Sequence, residues 1–342
     1  MLKSCSPTTS FGFVKVHKSG SDSLASLFMR IAEERSSSII LPVGEWNIGY
    51  PNKPKKNISY LPSLDADDKF EIATLHMMFN KALWKTMLKP HSKLIGVIRS
   101  PFLQFKSIFS YFRLAKYLNK RFGIALNESF EVFLDNPKKY SRGSLWKNPM
   151  LFDFNYNASI SVNSFIQDLN KSLSLMIISN YMDESLVMLK RIFCWETKDI
   201  LMKMKNVFPH AFPITDAKKN SHLEELYKKW SPEDYKLFDF FNKSLWNKIS
   251  QQVNFNYELE IYRKFNRRVG RFCATQENYN ETITLPSTMF NDEFKVDWKF
   301  CIRFNRGVIP YIKHLKWKYY DSRRKASSES KLERLKEQNR IQ

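Results

Sequence analysis

The stretch "VKVHKSGSDSLASLFMR", residues 14–30, sets two lysines, a histidine, a glycine and three serines between Val14 and Ser23, ahead of an apolar run. Those types in that order can make an anion site. Lys18 brings a full charge, Gly20 lets a backbone approach closely, and Ser19, Ser21 and Ser23 offer hydroxyl donors at a helix start. The order K-S-G-S-D-S differs from the nucleotidase loop, whose lysine follows a second glycine in G-x-x-x-x-G-K-[ST]. Taken alone, the turn reads equally as an ordinary capped strand-to-helix turn. A second constellation is "IGVIRSPFLQFKSIFSYF" (95–112), with Arg99 at a strand end and Ser107 eight residues on in the next helix. By itself an Arg-Ser-Pro is a strand-end cap. Strand C-termini of a parallel sheet share one edge, however, so Arg99 and the Lys18 turn can face one ligand.

Histidine titrates near neutral pH and suits a general base. His76 closes the expected strand "FEIATLHMMF" (70–79), and His17 lies in the lysine turn, where Lys15 and Lys18 favour a neutral ring. His76 is the first choice and His17 the second, although a lone strand-end histidine often serves only structure. Lys15 reads equally as a strand-end surface lysine or as a second cation at the same edge.

Placing these groups takes alternating strands and helices. "FGFVKV" (11–16) is a β-prone run, after which Leu24, Leu27, Phe28 and Ile31 recur at helical spacing. "SSSIILP" (36–42) reads as a second strand, and residues 43–69, rich in Pro, Asn, Lys and Asp, as a long substrate-contacting loop. "SKLIGVIRS" (92–100) is a strand stopped by Pro101; Phe102, Phe105, Ile108, Phe109 and Phe112 then trace a helix face. Residues 119–160 are poorly patterned. "LSLMIIS" (173–179) is a strand, and "DESLVMLKRIFCW" (183–195) a helix with Asp183 as N-cap. Residues 231–253 form a longer helix with Ser231 as N-cap and Pro232 at its first position. The alternation predicts an α/β fold, a parallel sheet flanked by helices.

The chain has 342 residues, 43% of them apolar, enough to bury a sizeable core. Its 55 basic against 34 acidic residues leave +21, which calls for an anionic partner: nucleic acid, an acidic membrane surface, or a phosphorylated or sulfated small molecule. No stretch approaches the roughly 18 consecutive apolar residues of a membrane span. "MLKSCSPTTS" lacks the apolar core of a signal peptide, so the chain, read literally, is soluble and cytosolic. Six N-x-S/T sequons, at Asn57, Asn127, Asn157, Asn170, Asn242 and Asn280, point instead to the secretory pathway. Cys5, Cys194, Cys273 and Cys301 are too scattered for a zinc site. In an oxidising compartment they allow three pairings, and buried free thiols fit equally well.

Together, the lysine turn and the Arg99–Ser107 pair resemble the sulfotransferases, and "VKVHKSGSDSL" is similar to the K-T-H-K-T-A-S-S-T turn of the galactose 3-O-sulfotransferases. "LHMMFN" (75–80), "LFDFNYN" (151–157), "NYMDESLVMLKRIFCW" (180–195) and "LFDFFNKSLWNKI" (237–249) carry the likeness on, in order, from about Cys5 to Cys273. The resemblance implies a phosphate-loop-like sulfotransferase fold and 3′-phosphoadenosine 5′-phosphosulfate as donor, with no metal. It implies that Lys18, Ser19, Gly20, Ser21, Asp22 and Ser23 bind the 5′-phosphosulfate, and that Arg99 and Ser107 bind the 3′-phosphate. The implied acceptor is the 3-hydroxyl of a galactose on a glycolipid or glycan. The implied setting is the Golgi lumen, as a type II membrane protein, with the span missing from this chain.

Two departures stand out. Asp22 replaces a serine of the family pattern and Gly20 an alanine. A carboxylate beside a phosphosulfate is unfavourable unless it points away or pairs with a lysine. Trp46, Tyr50, Trp84 and Tyr181 are candidate stacking platforms for the sugar, and Asn242 and Asn57 the favoured glycosylation sites. The expected division is a catalytic domain over 1–265, a poorly patterned extension over 266–310, and a basic solvated tail over 311–342 with ten Lys/Arg against four Asp/Glu. A phosphotransferase would need a Walker lysine or a metal-binding aspartate after a strand, and neither pattern occurs. The other alternative is a binder of heparin-like polyanions or nucleic acid on a degenerate sulfotransferase fold, with the basic tail as its best support. The enzyme reading expects no nucleic acid.

Overall fold

The computed structural model describes residues 5–203, 216–275 and 281–338. β1 (Phe11–Val14) leads into α1 (Ser21–Glu34), β2 (Ile72–Ala73) into α2 (Lys81–Met87), and β3 (Lys93–Ile98) into α3 (Pro101–Tyr111). The short helices α4 (Leu114–Phe122), α5 (Ser129–Asp135), α6 (Pro137–Tyr140) and α7 (Pro149–Asp153) follow. α8 (Val162–Ser172) precedes β4 (Leu175–Ile178), then α9 (Met182–Phe193) and α10 (Thr197–Ile200). Next come α11 (Ala217–Trp230), α12 (Pro232–Ser250) and α13 (Phe255–Phe272). The hairpin β5 (Thr282–Leu285) and β6 (Phe294–Asp297) leads to α14 (Trp298–Asn305) and α15 (Val308–Gln338).

The main sheet is parallel, in the order β2-β1-β3-β4, with helices packed around it. Its strands read as continuous apolar runs because both faces are covered. Phe11, Phe13 and Val14 are fully buried, and Phe11 and Phe13 set their rings edge-on against Phe28 of α1. Gly12 is required where the Trp84 indole crosses β1, since a Cβ there would lie 2.5 Å from the ring. The chain from β1 runs out to β2 on one side, and its next strand, β3, lies on the other. The cleft beyond the C-termini of β1 and β3 is therefore the ligand position of an open α/β sheet.

Several expectations change. Residues 36–42 form no strand: Ile39 makes one parallel bridge to Ile72, and the Ser38 N–H donates to the Glu71 carboxylate instead of a ladder. Of the strand expected over 70–79 only Ile72–Ala73 joins the sheet, Phe70 making an isolated bridge to Leu88 and the loop before the strand taking bonds further on. Ile48 N–H donates to the His76 carbonyl, and Asn47 bridges His76. Asp183 does not cap α9. It lies in the first turn and takes Arg263, while Tyr181 holds the cap position. Residues 119–160, without a clear period, supply much of a second apolar cluster in which Phe105, Phe109, Phe130, Phe133, Trp146 and Tyr227 meet. Left-handed residues at Gly123 and Asn148 interrupt that stretch, whose helices are too short to show periodicity.

The described parts of the extension, 266–275 and 281–310, carry the end of α13, the β5–β6 hairpin and α14, with Cys273 at the end of α13 bonded to Cys301 of α14. The tail is not solvated from its start. Tyr311, Ile312, Leu315 and Tyr319 are buried, and Glu33 at the end of α1 gathers Arg306, His314 and Lys318. The basic residues hid an apolar stripe on the opposite face of the helix.

Candidate active site

A cavity of about 760 Å³ opens at the C-terminal edge of β1 and β3. Lys15, His17, Lys18, Gly20, Ser21, Asp22, His76, Arg99 and Ser107 all line it. The turn after β1 reverses through two left-handed residues, Lys18 at φ 56° and Gly20 at φ 75°, and delivers the first N–H groups of α1 to the cavity. Ser19 and Ser21 both donate their hydroxyls to the Val16 carbonyl, closing the turn on itself. Ser21 still borders the cavity. Ser19 and Ser23 are fully buried and do not line it, so these two brace the turn rather than face a ligand.

Arg99 donates from its guanidinium to the Lys18 carbonyl, which joins the end of β3 to the lysine turn. Lys18 places its ammonium 3.8 Å from the Tyr111 ring centroid, a cation–π contact that holds it over α3. Burial, together with the neighbouring charges of Arg99 and Lys15, lowers the Lys18 pKa against the opposing pull of Asp22. Gln104 of α3 donates to the His17 carbonyl from beneath.

The two histidines stack, with ring centroids 4.1 Å apart and planes 17° from parallel. His17 meets a carboxylate that its sequence neighbours did not announce. Its backbone N–H donates to the Asp153 carboxylate at 2.7 Å, and its Nδ1 lies 2.9 Å from the same group. Tyr50 donates its hydroxyl to Asp153 as well, and burial followed by that carboxylate raises the Tyr50 pKa. Asp153 ends α7, whose first N–H groups, Met150 and Leu151, donate to the buried Asp234 of α12. His76 sits on the other side of the stack, with Lys15 Nζ 2.8 Å from Nε2. Lys15 is buried and also donates to Asp22 at 2.6 Å. Burial first, then the charge of Lys15 and the presence of His17, hold the His76 pKa well below the usual range, so the ring is neutral near pH 7.

Asp153 was missed by residue-type reasoning. A single acid inside the apolar "LFDFNYN" run was the available signal, because an unpaired carboxylate there would be costly. Of the aromatic candidates, Trp46 borders the cavity with its ring 6.1 Å from His76, and Tyr50 contacts both histidines. Trp84 is core, under Gly12, and Tyr181 packs against Trp246 away from the cavity lining. Asn57 lies in an exposed turn. Asn242 lies inside α12 with its amide oxygen buried and unpartnered, while Asn280 falls outside the described residues.

The galactose-3-O-sulfotransferase pattern matches residues 1–291. Galactosylceramide sulfotransferase of Bos taurus is 26% identical over 287 residues, covering 79% of this chain and 65% of that protein. Galactose-3-O-sulfotransferase 2 of Homo sapiens is 25% identical over 284 residues, covering 78% of this chain and 68% of that protein. The chain thus spans less than two thirds of the bovine relative's length. No solved structure gives a significant match. With that pattern running through the lysine turn, Arg99, both histidines and Asp153, the chain belongs to the galactose-3-O-sulfotransferase family.

Proposed function

We propose that this protein moves a sulfuryl group from 3′-phosphoadenosine 5′-phosphosulfate to the 3-hydroxyl of a galactose on a glycolipid or glycoprotein glycan. The observation that carries the reading is the convergence of the Lys18 turn, Arg99 and the stacked histidines on one cavity. The residues present fit an anionic nucleotide. Cations stand on two strand ends, a helix N-terminus opens between them, and the volume suits a ligand of that size.

In this reading Lys18 and the N–H groups of Gly20 and Ser21 hold the 5′-phosphosulfate, and Arg99 with Ser107 holds the 3′-phosphate. The donor supplies sulfur already activated by its phosphate leaving group. Lys18 offsets the charge that grows on the leaving phosphate, as in other in-line transfers where the protein mainly positions and neutralises. His76, neutral and at the cavity wall, takes the proton of the attacking hydroxyl, with His17 as the second candidate. Asp153 fixes the His17 ring, Trp46 faces the sugar, and Tyr50 backs the two histidines.

The bonding of all four cysteines, Cys5 to Cys194 and Cys273 to Cys301, favours an oxidising compartment. The Golgi lumen of the family fits that chemistry. No helix of the described residues is long and apolar enough to cross a membrane. Transfer of labelled sulfate from the donor to lactose or to galactosylceramide, alongside a melting-temperature rise with adenosine 3′,5′-bisphosphate, tests the reading. Neither transfer nor a thermal shift would remove it and leave polyanion binding, for which α15 offers exposed Lys313, Trp317, Tyr320 and Arg324.

A further inference from the structure

Lys15 stands between two partners, Asp22 Oδ1 at 2.6 Å and His76 Nε2 at 2.8 Å. An ammonium only donates, so Nε2 accepts and the ring proton belongs on Nδ1. Nδ1 itself is buried and has no hydrogen-bond partner among the described residues. A neutral imidazole has one accepting nitrogen, and here Lys15 covers it. In this arrangement His76 cannot take a proton from a hydroxyl.

Asp22 is the group that keeps Lys15 in place. It sits in the first turn of α1 with its side chain 39% exposed to the cavity, while the Lys15 side chain is 3% exposed. A lysine buried that deeply needs a counter-charge, and removing one without replacement is costly. Exchange of one anion for another keeps it compensated. Among the described residues, Lys18, which Asp22 also attracts, and Arg99 line the same cavity, and Asp153 lies behind His17 and is held by His17 and Tyr50. Asp22 is thus a carboxylate in the path of an incoming anion, at the position where the family pattern has serine.

We propose that Asp22 is a positioning residue that stands in for the donor's anionic group, holding Lys15 on Nε2 of His76 until a phosphosulfate takes the lysine and uncovers the imidazole. The proposal rests on the sulfuryl-transfer reading. It makes the base available only after the donor is bound, and it weakens donor binding by the competition between two anions for one lysine.

The test uses Asp22→Ser and Asp22→Asn, adenosine 3′,5′-bisphosphate as probe, and protein carrying nitrogen-15 histidine. Both variants are expected to bind the bisphosphate about tenfold or more tightly than wild type, since a like charge has gone from the site. Adding the bisphosphate to wild type should move the His76 Nε2 resonance, and in the ligand-free variants that resonance should already lie displaced toward the bound position. Equal or weaker binding by both variants overturns the proposal, as does a resonance moved by neither ligand nor substitution. If the bisphosphate binds none of the three proteins, the sulfuryl-donor reading falls on its own. The stand-in role of Asp22 falls with it, and the ligand-free spectra then show only whether Asp22 holds Lys15 on Nε2, displacement in the variants meaning that it does and identical spectra that it does not.

Discussion

At the residue scale, His76 and Arg99 make separable contributions. Because burial, Lys15 and His17 depress the His76 pKa in the free protein, the acid limb of kcat/KM should lie below the ordinary histidine range. His76→Ala should lower kcat on the order of 10²–10⁴-fold and erase that limb, with bisphosphate affinity nearly unchanged. His17→Ala should instead weaken the bisphosphate, since His17 ties the lysine turn to Asp153. The opposite assignment of the two effects would make His17 the base. The same depressed pKa has a stability consequence. The neutral ring contributes fully above its unfolded pKa of about 6.5, and that contribution is lost as pH falls through the folded value. Melting temperature should therefore drop on acidification, and drop less steeply in His76→Gln. Arg99→Ala should cost about 2–4 kcal/mol of bisphosphate binding by calorimetry, the loss of a charge-assisted pair to phosphate; equal affinities would remove Arg99 from the donor site.

At the element scale, the short helix α7 links α12 to the histidines at the cavity edge. It ends in Asp153 and begins on Asp234, which is fully buried and accepts from two of its N–H groups. Asp234→Ala strands both donors, so it should destabilise the fold by about 2–4 kcal/mol in urea unfolding. It should also weaken the bisphosphate through Asp153 and His17, whereas a variant that folds less stably yet binds normally would separate α7 from the site. The elements legible in the sequence were those with their own pattern: β1, α1, β3, α3 and β4. Residues 36–42 had strand composition, yet their bonds went to Glu71 and two isolated bridges, Ile39 to Ile72 and Pro42 to Tyr60, a choice made by neighbours about twenty to thirty residues away in sequence.

At the scale of the whole molecule, the two disulfides and the sequons bear on compartment. Cys5–Cys194 ties the N-terminal segment to the end of α9, where Trp195 also donates to the Thr8 carbonyl. Cys273–Cys301 holds α13 against α14, under the start of α15. Replacing Cys273 and Cys301 by serine should cost about 2–5 kcal/mol of stability, read from denaturant unfolding with and without reductant; identical curves would show that the bond does not form in solution. Expression in a secretory host should place glycans on the exposed sites Asn57, Asn127 and Asn157. Replacing those three asparagines by glutamine should remove most of the glycosidase-sensitive gel shift, while Asn242→Gln should leave it, because that site lies inside α12 with its amide oxygen buried. A shift that depends on Asn242 would contradict the packing of α12.

The sequence by itself determined the lysine-bearing turn after β1, the Arg99 strand end, the two histidines beside them, the parallel α/β order and the family. Each is a local pattern of residue types, or a hydrophobic period, that survives whatever surrounds it. Only the tertiary structure decided that Asp153 holds His17, that Lys15 lies between Asp22 and His76, that Trp84 is core, and that the start of the basic tail packs on Glu33. Those contacts join residues from separate turns, strands and helices. A buried charge takes whichever partner the fold delivers, and spacing along the chain carries no record of that choice.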